Sequence, residues 1–286
     1  MFTSLRPLII LTAVSMTALT GFGASAPKPL KVLLITGGCC HDYAAQKDLL
    51  KRGLEQRANI VVQQMHTADK STKPPLACLA TPDYAAGYDL VIHDECAAGI
   101  SDVDLVNNVL KPHLEGIPAV NLHCAMHSYR VTPDVGRPMQ PGSAGALWFD
   151  FLGLQSSGHG PQEPIAITFV ASENPIVKSM ANWTTIKEEL YNNVQNPAVF
   201  SGHRALATGK QIVKNRDGTT KTMESVVAWT NEYGPRKTRV FSTTIGHNNA
   251  TVDDPRYLEL VTRGLLWAAG KLGADGRPVA GYGPTP

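Results

Sequence analysis

KVLLITGG, Lys31–Gly38, is an apolar run of strand length that ends in two glycines. No polar residue interrupts Val32–Ile35, so the run reads as a strand buried on both faces, which is the signature of a parallel sheet. Working outward, the spacing predicts a helix over Tyr43–Arg57, with Leu49, Leu50 and Leu54 on one face. Asn59–Gln64 is β-branched and strand-like, and DLVIH, Asp89–His93, is a second buried strand. A helix is expected over Ser101–Leu114 with Ser101 as its N-cap, carrying Val103, Val106, Val109 and Leu110 in register. Pro118–Leu122 is the next strand and runs into His123-Cys124. Strands alternating with helices imply right-handed βαβ units, hence an α/β fold with a mainly parallel sheet. No GxGxxG follows the first strand, so the sequence gives no support for a dinucleotide site.

Arg130–Gln162 is rich in Gly, Pro and Ser and reads as an elaborated loop with a short helix over Ala144–Leu152. The second half is more strand-like: Pro164–Val170, Ala205–Val213, Thr222–Trp229 and Arg239–Thr244, with Asp217-Gly218 as a hairpin turn. A closing helix is expected over Pro255–Leu272, followed by a loosely ordered Gly/Pro-rich tail.

The first 26 residues have the pattern of a cleavable signal peptide: Arg6, an apolar stretch from Leu8 to Leu19, and Ala24-Ser25-Ala26. A mature domain over 27–286, periplasmic or secreted and free of the membrane, is therefore expected. With 43% hydrophobic and 17% charged residues the chain is globular rather than disordered. A net charge of +2 without basic–aromatic clusters argues against nucleic acid. Oligomeric state is left open, a homo-oligomer included. There are five cysteines and no CxxC, and the adjacent Cys39 and Cys40 are not expected to bond each other.

Several stretches in order resemble the ThuA-like, trehalose-utilisation family. They are VLLITGG followed by His41-Asp42, NLHCAMHS (Asn121–Ser128), EELY (Glu188–Tyr191), VAWTNEYG (Val227–Gly234), RVFSTTIGHN (Arg239–Asn248) and RGLLWAAG (Arg263–Gly270). The resemblance implies a flavodoxin-like three-layer αβα sandwich related to class I glutamine amidotransferases. It also implies a part in the catabolism of trehalose and oxidised keto-sugars. Cys124 departs from the small residue or Ser that many members carry after the strand-end His.

Three histidines, His41, His123 and His247, fall at or just beyond separate strand ends, which an open parallel sheet brings to one crevice. His127 lies four residues after His123, so a helix would put both on one face at metal-ligand spacing. The set His123, His127 and His247 is thus a candidate site for a divalent metal such as zinc, and for acid/base chemistry. HCAMH is not HExxH, since Cys124 stands where the general-base Glu would be. Cys124 occupies a nucleophile-elbow position, but Asn249 replaces the acid an amidotransferase carries two residues after its catalytic His. A buried thiol is the alternative reading there. Glu189 and Tyr191, read as entering from the loop region, suit proton transfer and sugar hydroxyls. Asp42, Glu95 and His159, with His41, are candidate substrate contacts. Asp94 reads as either a base or a loop acid. Trp148, Trp229 and Tyr233 are candidate sugar-stacking rings, with Trp229 in a core strand pattern. The expected function is an enzyme acting on a sugar, glycoside or keto-sugar by acid/base chemistry in a His-rich pocket. The alternatives are a non-catalytic carbohydrate-binding protein and a Cys124-dependent amidase-type hydrolase.

Overall fold

The computed structural model describes Met1 and residues 27–194 and 203–285. The expected signal segment, from residue 2 to 26, lies outside the described residues. Among the described residues no helix is long and apolar enough to cross a membrane.

The fold is α/β, built on one nine-stranded sheet. Its strands are β1 (Leu30–Gly38), β2 (Ile60–His66), β3 (Leu90–Cys96), β4 (Ala119–Leu122), β5 (His159–Phe169), β6 (Trp183–Tyr191), β7 (Arg204–Lys214), β8 (Thr220–Tyr233) and β9 (Thr238–Thr243), in the order β2-β1-β3-β4-β9-β8-β7-β5-β6. The first five in that order are parallel and the remaining pairings are antiparallel. The sheet is therefore mixed, not mainly parallel. The physical reason lies in the connections: the Asp217-Gly218 turn joins β7 and β8 as a hairpin, and β8 returns directly into β9. A crossover to a parallel neighbour needs far longer connections.

β1 is buried on both faces, as its unbroken apolar run requires. Val32 and Leu34 pack with Leu50 and Leu54 of α1 (Tyr43–Glu55) and Leu258 and Val261 of α6 (Pro255–Ala268). Leu33 and Ile35 pack toward Val106, Val109 and Leu110 of α3 (Val103–Leu114), α2 (Ala77–Ala80) and α4 (Leu147–Leu152). A short α5 (Asn249–Val252) precedes α6. The cap of α3 is Asp102 rather than Ser101: its carboxylate accepts from the amides of Asp104 and Leu105. The C-terminal tail is tied down rather than loose, because Asn59 donates to the carbonyls of Tyr282 and Gly281.

The antiparallel half curls. Four strand spacings separate β6 from β9, roughly 19 Å in a flat sheet, yet Glu189 on β6 lies 3.2 Å from the ring of His247, just beyond β9. Register shifts in β5–β6 and β7–β8 supply the bend. Gly209 of β7 sits inside it. A Cβ there would meet Ile165 of β5 at 2.6 Å, Val227 of β8 at 2.7 Å and Leu190 of β6 at 3.2 Å. EELY is thus the end of an edge strand, not a loop.

Strand alternation turns His93 and Glu95 of β3 away from the sheet's carboxyl edge, into the α3–α4 core. His93 Nδ1 is 2.8 Å from Glu95 Oε1, His93 Nε2 is 3.1 Å from His113 Nε2, and His113 Nδ1 is 2.7 Å from the Ile117 carbonyl. Tyr129 donates to Glu95 at 2.6 Å. Glu95 has no exposed surface and is not a substrate contact; its chemistry is spent on this internal chain.

Two outcomes follow from this packing. Gly209→Val is expected to lower stability by about 1–3 kcal/mol in urea unfolding, the usual range for overpacking; an unchanged midpoint would show that the curl is not tight. The second concerns pH. Burial, with His93 alongside, pushes His113 down to about 3, while an unfolded imidazole protonates near 6.5. Between those values the unfolded chain holds the extra proton, so stability falls as pH is lowered from about 6.5 toward about 3. His113→Gln is expected to flatten that part of the profile, and an identical slope in the variant would assign the loss to other groups.

Candidate functional site

Because β1, β3, β4 and β9 are parallel neighbours, their carboxyl ends share one edge. The chain leaves β1 through Gly37 and Gly38, both at positive φ. A Cβ on Gly38 would lie 2.1 Å from the Cys96 carbonyl oxygen, so only glycine lets β1 run this close to the end of β3. His41 follows directly after the Cys39-Cys40 pair. Beyond β4, His123 takes the left-handed conformation, φ 40°, which swings the chain into a 3-10 turn over His123–His127. Beyond β9, Gly246 leads to His247.

These three rings converge. Centroid distances are 4.6 Å for His41–His123, 4.7 Å for His41–His247 and 5.5 Å for His123–His247. The curled β6 presents Glu189 and Tyr191 to them, two residues apart and so on one face. Glu189 Oε2 lies 3.2 Å from His247 Nδ1 and 3.5 Å from His123 Nε2, and Oε1 lies 3.6 Å from His159 Nδ1. The Tyr191 hydroxyl is 3.2 Å from His123 Nε2. His123 Nδ1 is held 2.6 Å from the Thr244 carbonyl, to which it donates. Gln162 reaches His247 Nε2 at 2.7 Å.

Glu188, not singled out in the sequence, points the other way along β6. It is fully buried, and its carboxylate accepts from the backbone amides of Gly246, His247 and Asn248. That clamp fixes the loop carrying His247. The doubled acid in EELY was its only trace, because alternation alone does not say which carboxylate faces the rings.

Burial and the neighbouring imidazoles push His41 down to about 3, so it is neutral. Burial alone would raise Glu189, but hydrogen bonds with His123 and His247 outweigh it and hold the carboxyl well below its ordinary range. The same contact with Glu189 raises His247. His41 and His247 open onto a cleft of about 650 Å³, lined also by Asp42, Lys70, Asn248 and Asn249. His123, Glu189 and Tyr191 are buried behind these two rings and do not line the cleft itself. A small, highly hydroxylated molecule fits such a polar wall better than an apolar one.

His127 is not one of the converging rings. In a 3-10 turn residues four apart do not share a face, and its ring stacks on Tyr191 at 4.1 Å while Nε2 meets Ser156 Oγ at 2.8 Å. His41 takes its place in the candidate metal set: ligand atoms of His41, His123 and His247 lie within 4.8 Å of one another. Nδ1 of His41 has no hydrogen-bond partner though buried, whereas Nδ1 of His247 faces Glu189. Asp42 caps α1 and accepts from Asn249 at 2.8 Å. His159 sits at the start of β5, half-exposed, over Tyr191. Asp94 is buried, and burial together with Glu95 raises its carboxyl. Trp148 and Trp229 are core residues, their indole N–H groups donating to the carbonyls of Ala125 and Leu152.

Cys124 meets no imidazole. Its thiol donates to Cys96 Sγ at 2.7 Å, and that contact together with burial raises its pKa well above the ordinary value, the opposite of an activated nucleophile. Cys39 and Cys40 are bonded to each other, against the sequence expectation, on the rim of the cleft.

Residues 31–268 match the ThuA family, described as trehalose utilisation. Two solved structures share the fold: a ThuA-like protein from Parabacteroides merdae, at 20% identity and a TM-score of 0.61, covering 91% of this chain and 98% of that one, and another from Bacteroides uniformis, at 15% identity and a TM-score of 0.58, covering 87% and 95%. No curated protein matches the chain. With most of its length matched, including β1, the three histidine loops and α6, this chain belongs to the ThuA family, linked to trehalose utilisation.

Proposed function

We propose that the chain is an exported enzyme of carbohydrate catabolism that acts on a sugar, glycoside or keto-sugar by proton transfer in the histidine pocket. The observation that carries the reading is Glu189, whose carboxylate sits among His123, His159 and His247, the last of which lines a polar cleft. Glu189 stays ionised, so it is a poor proton carrier and a good charge partner. His247, raised by that partner and standing at the cleft, is the group suited to give and take protons near neutral pH. His41, neutral, and His123, fixed by the Thr244 carbonyl, would hydrogen-bond the oxygen on which charge develops. Lys70 and Asn249 at the wall would bind hydroxyls. The apolar clusters on both faces of the parallel strands support a flavodoxin-like three-layer arrangement, and the Arg6, Leu8–Leu19 and Ala24–Ala26 pattern supports export to the periplasm or medium.

A second reading has its own observation. Three imidazoles at ligand spacing, with the buried Nδ1 of His41 lacking a partner, fit a divalent ion such as zinc. A bound ion would polarise a substrate oxygen. The Tyr191 hydroxyl stands 3.2 Å from His123 Nε2 and would have to move away from it.

The test uses the purified chain with trehalose, other disaccharides and their keto derivatives. His247→Ala and Glu189→Gln are expected to lower turnover by roughly 10²–10⁴-fold, the range for general acid–base groups, at an unchanged urea midpoint. Retained turnover in both would sink the acid/base reading, and sugar affinity without turnover in the wild type would make the protein a binder. Zinc titration by calorimetry decides the second reading: one ion per chain, lost in His41→Ala.

A further inference from the structure

We propose that Cys39, Cys40, Cys96 and Cys124 form an intramolecular disulfide relay, in which one disulfide moves between the exposed Cys39–Cys40 pair and the buried Cys96–Cys124 pair. Four of the five cysteines come together here from three separate strand ends. Gly38 of β1 pairs with Cys96 of β3, which sets Cys39 Sγ 3.4 Å from Cys96 Sγ. The turn after β4 brings Cys124 Sγ to 2.7 Å from the same sulfur. Cys96 therefore lies between a disulfide and a thiol, within reach of both. The fifth cysteine, Cys78, is free and packs in the other core, under α2 and α3.

The exchange balances within the chain. Cys96 gives its proton to water and its thiolate attacks Cys39 Sγ, the Cys39–Cys40 bond breaks, and Cys40 leaves as a thiolate that takes a proton back from water. Cys124 then gives up its proton and attacks Cys96 Sγ. The Cys39–Cys96 bond breaks, and Cys39 leaves and takes up the proton that Cys124 released. One disulfide and two thiols stand on each side, so no oxidant or reductant is consumed. Adjacent residues hold their Cα atoms about 3.8 Å apart, less than disulfides usually span, which makes Cys39–Cys40 the more readily opened pair. The hydrogen bond from Cys124 favours the Cys96 thiolate against the cost of burial. Cys40 is exposed and lines the cleft, so the relay links solvent to a buried pair. Cys40 and Cys124 are also the chain neighbours of His41 and His123, which ties the position of the disulfide to two of the three pocket rings.

The test is thiol mapping on the full chain, purified without reductant. The native protein is exposed to a small alkylating reagent, quenched in acid, unfolded, labelled with a second reagent and digested. The relay predicts native labelling of Cys40 with no reductant present, and in the same molecules a Cys96–Cys124 or Cys39–Cys96 linkage. Cys124→Ser should abolish the Cys96–Cys124 linkage and leave Cys39–Cys40 and Cys39–Cys96, while Cys78→Ser should change nothing. Should Cys124→Ser fail to fold, the wild-type labelling decides alone. Cys39–Cys40 closed in every molecule, with Cys96 and Cys124 both free after prolonged exposure, would overturn the proposal. So would four free thiols holding a metal ion detected by elemental analysis.

Discussion

Parallel hydrogen bonding between β1, β3, β4 and β9 forces their carboxyl ends onto a single edge, and the rest of the site follows from that constraint. His41, His123 and His247 are far apart in sequence, and none touches another through local structure. Each stands a few residues past a strand whose direction the sheet has already fixed. The same constraint gathers the cysteines, since Cys39, Cys96 and Cys124 lie at the ends of β1, β3 and β4. Two clusters of reactive side chains thus share one edge because the strands beneath them share one direction.

Electrostatics then limits what the rings can be. Two protonated imidazoles about 4.7 Å apart would repel by roughly 3–4 kcal/mol at an effective dielectric of 20. Three could not all be charged. One carboxylate stands beside them, and Glu189 balances one cation. His247 touches Glu189 and stands at the cleft, whereas His41 is more buried and packs edge-on against the other two rings. Charge therefore settles on His247, and His41 keeps a lone pair. An imidazole with a free lone pair beside one that carries a proton is the asymmetry that proton transfer requires.

The sequence was legible where burial dictated it. KVLLIT, DLVIH and PAVNL read as strands because both faces are covered, and the histidines past three strand ends could be placed at one edge on topology alone. Three features were not legible. The antiparallel half depends on the curl around Gly209, and nothing in the composition of β5–β8 marks where a sheet bends. The 3-10 turn after β4 depends on a left-handed His123, so helical spacing misassigned His127 and left His41 out of the metal set. Glu95 looked like an edge carboxylate because it follows DLVIH. β3 runs three residues further than the apolar pattern, however, and alternation carries Glu95 into the core beside His93.

The neighbours Glu188 and Glu189 show how one strand serves two purposes. Alternation sends them to opposite faces of β6. Glu188 holds the backbone of residues 246–248 through three amides, and Glu189 holds the ring of His247 through its Nδ1. Backbone and ring of the same histidine are thus fixed by consecutive residues of a single edge strand. A one-residue slip in β6 would exchange the two carboxylates and lose both contacts at once. The register of β6 is set by its pairing with β5 and by Leu190, whose side chain packs against the bare backbone at Gly209. The position of His247 is therefore decided inside the curl, by a glycine in β7 that touches neither the histidine nor the cleft.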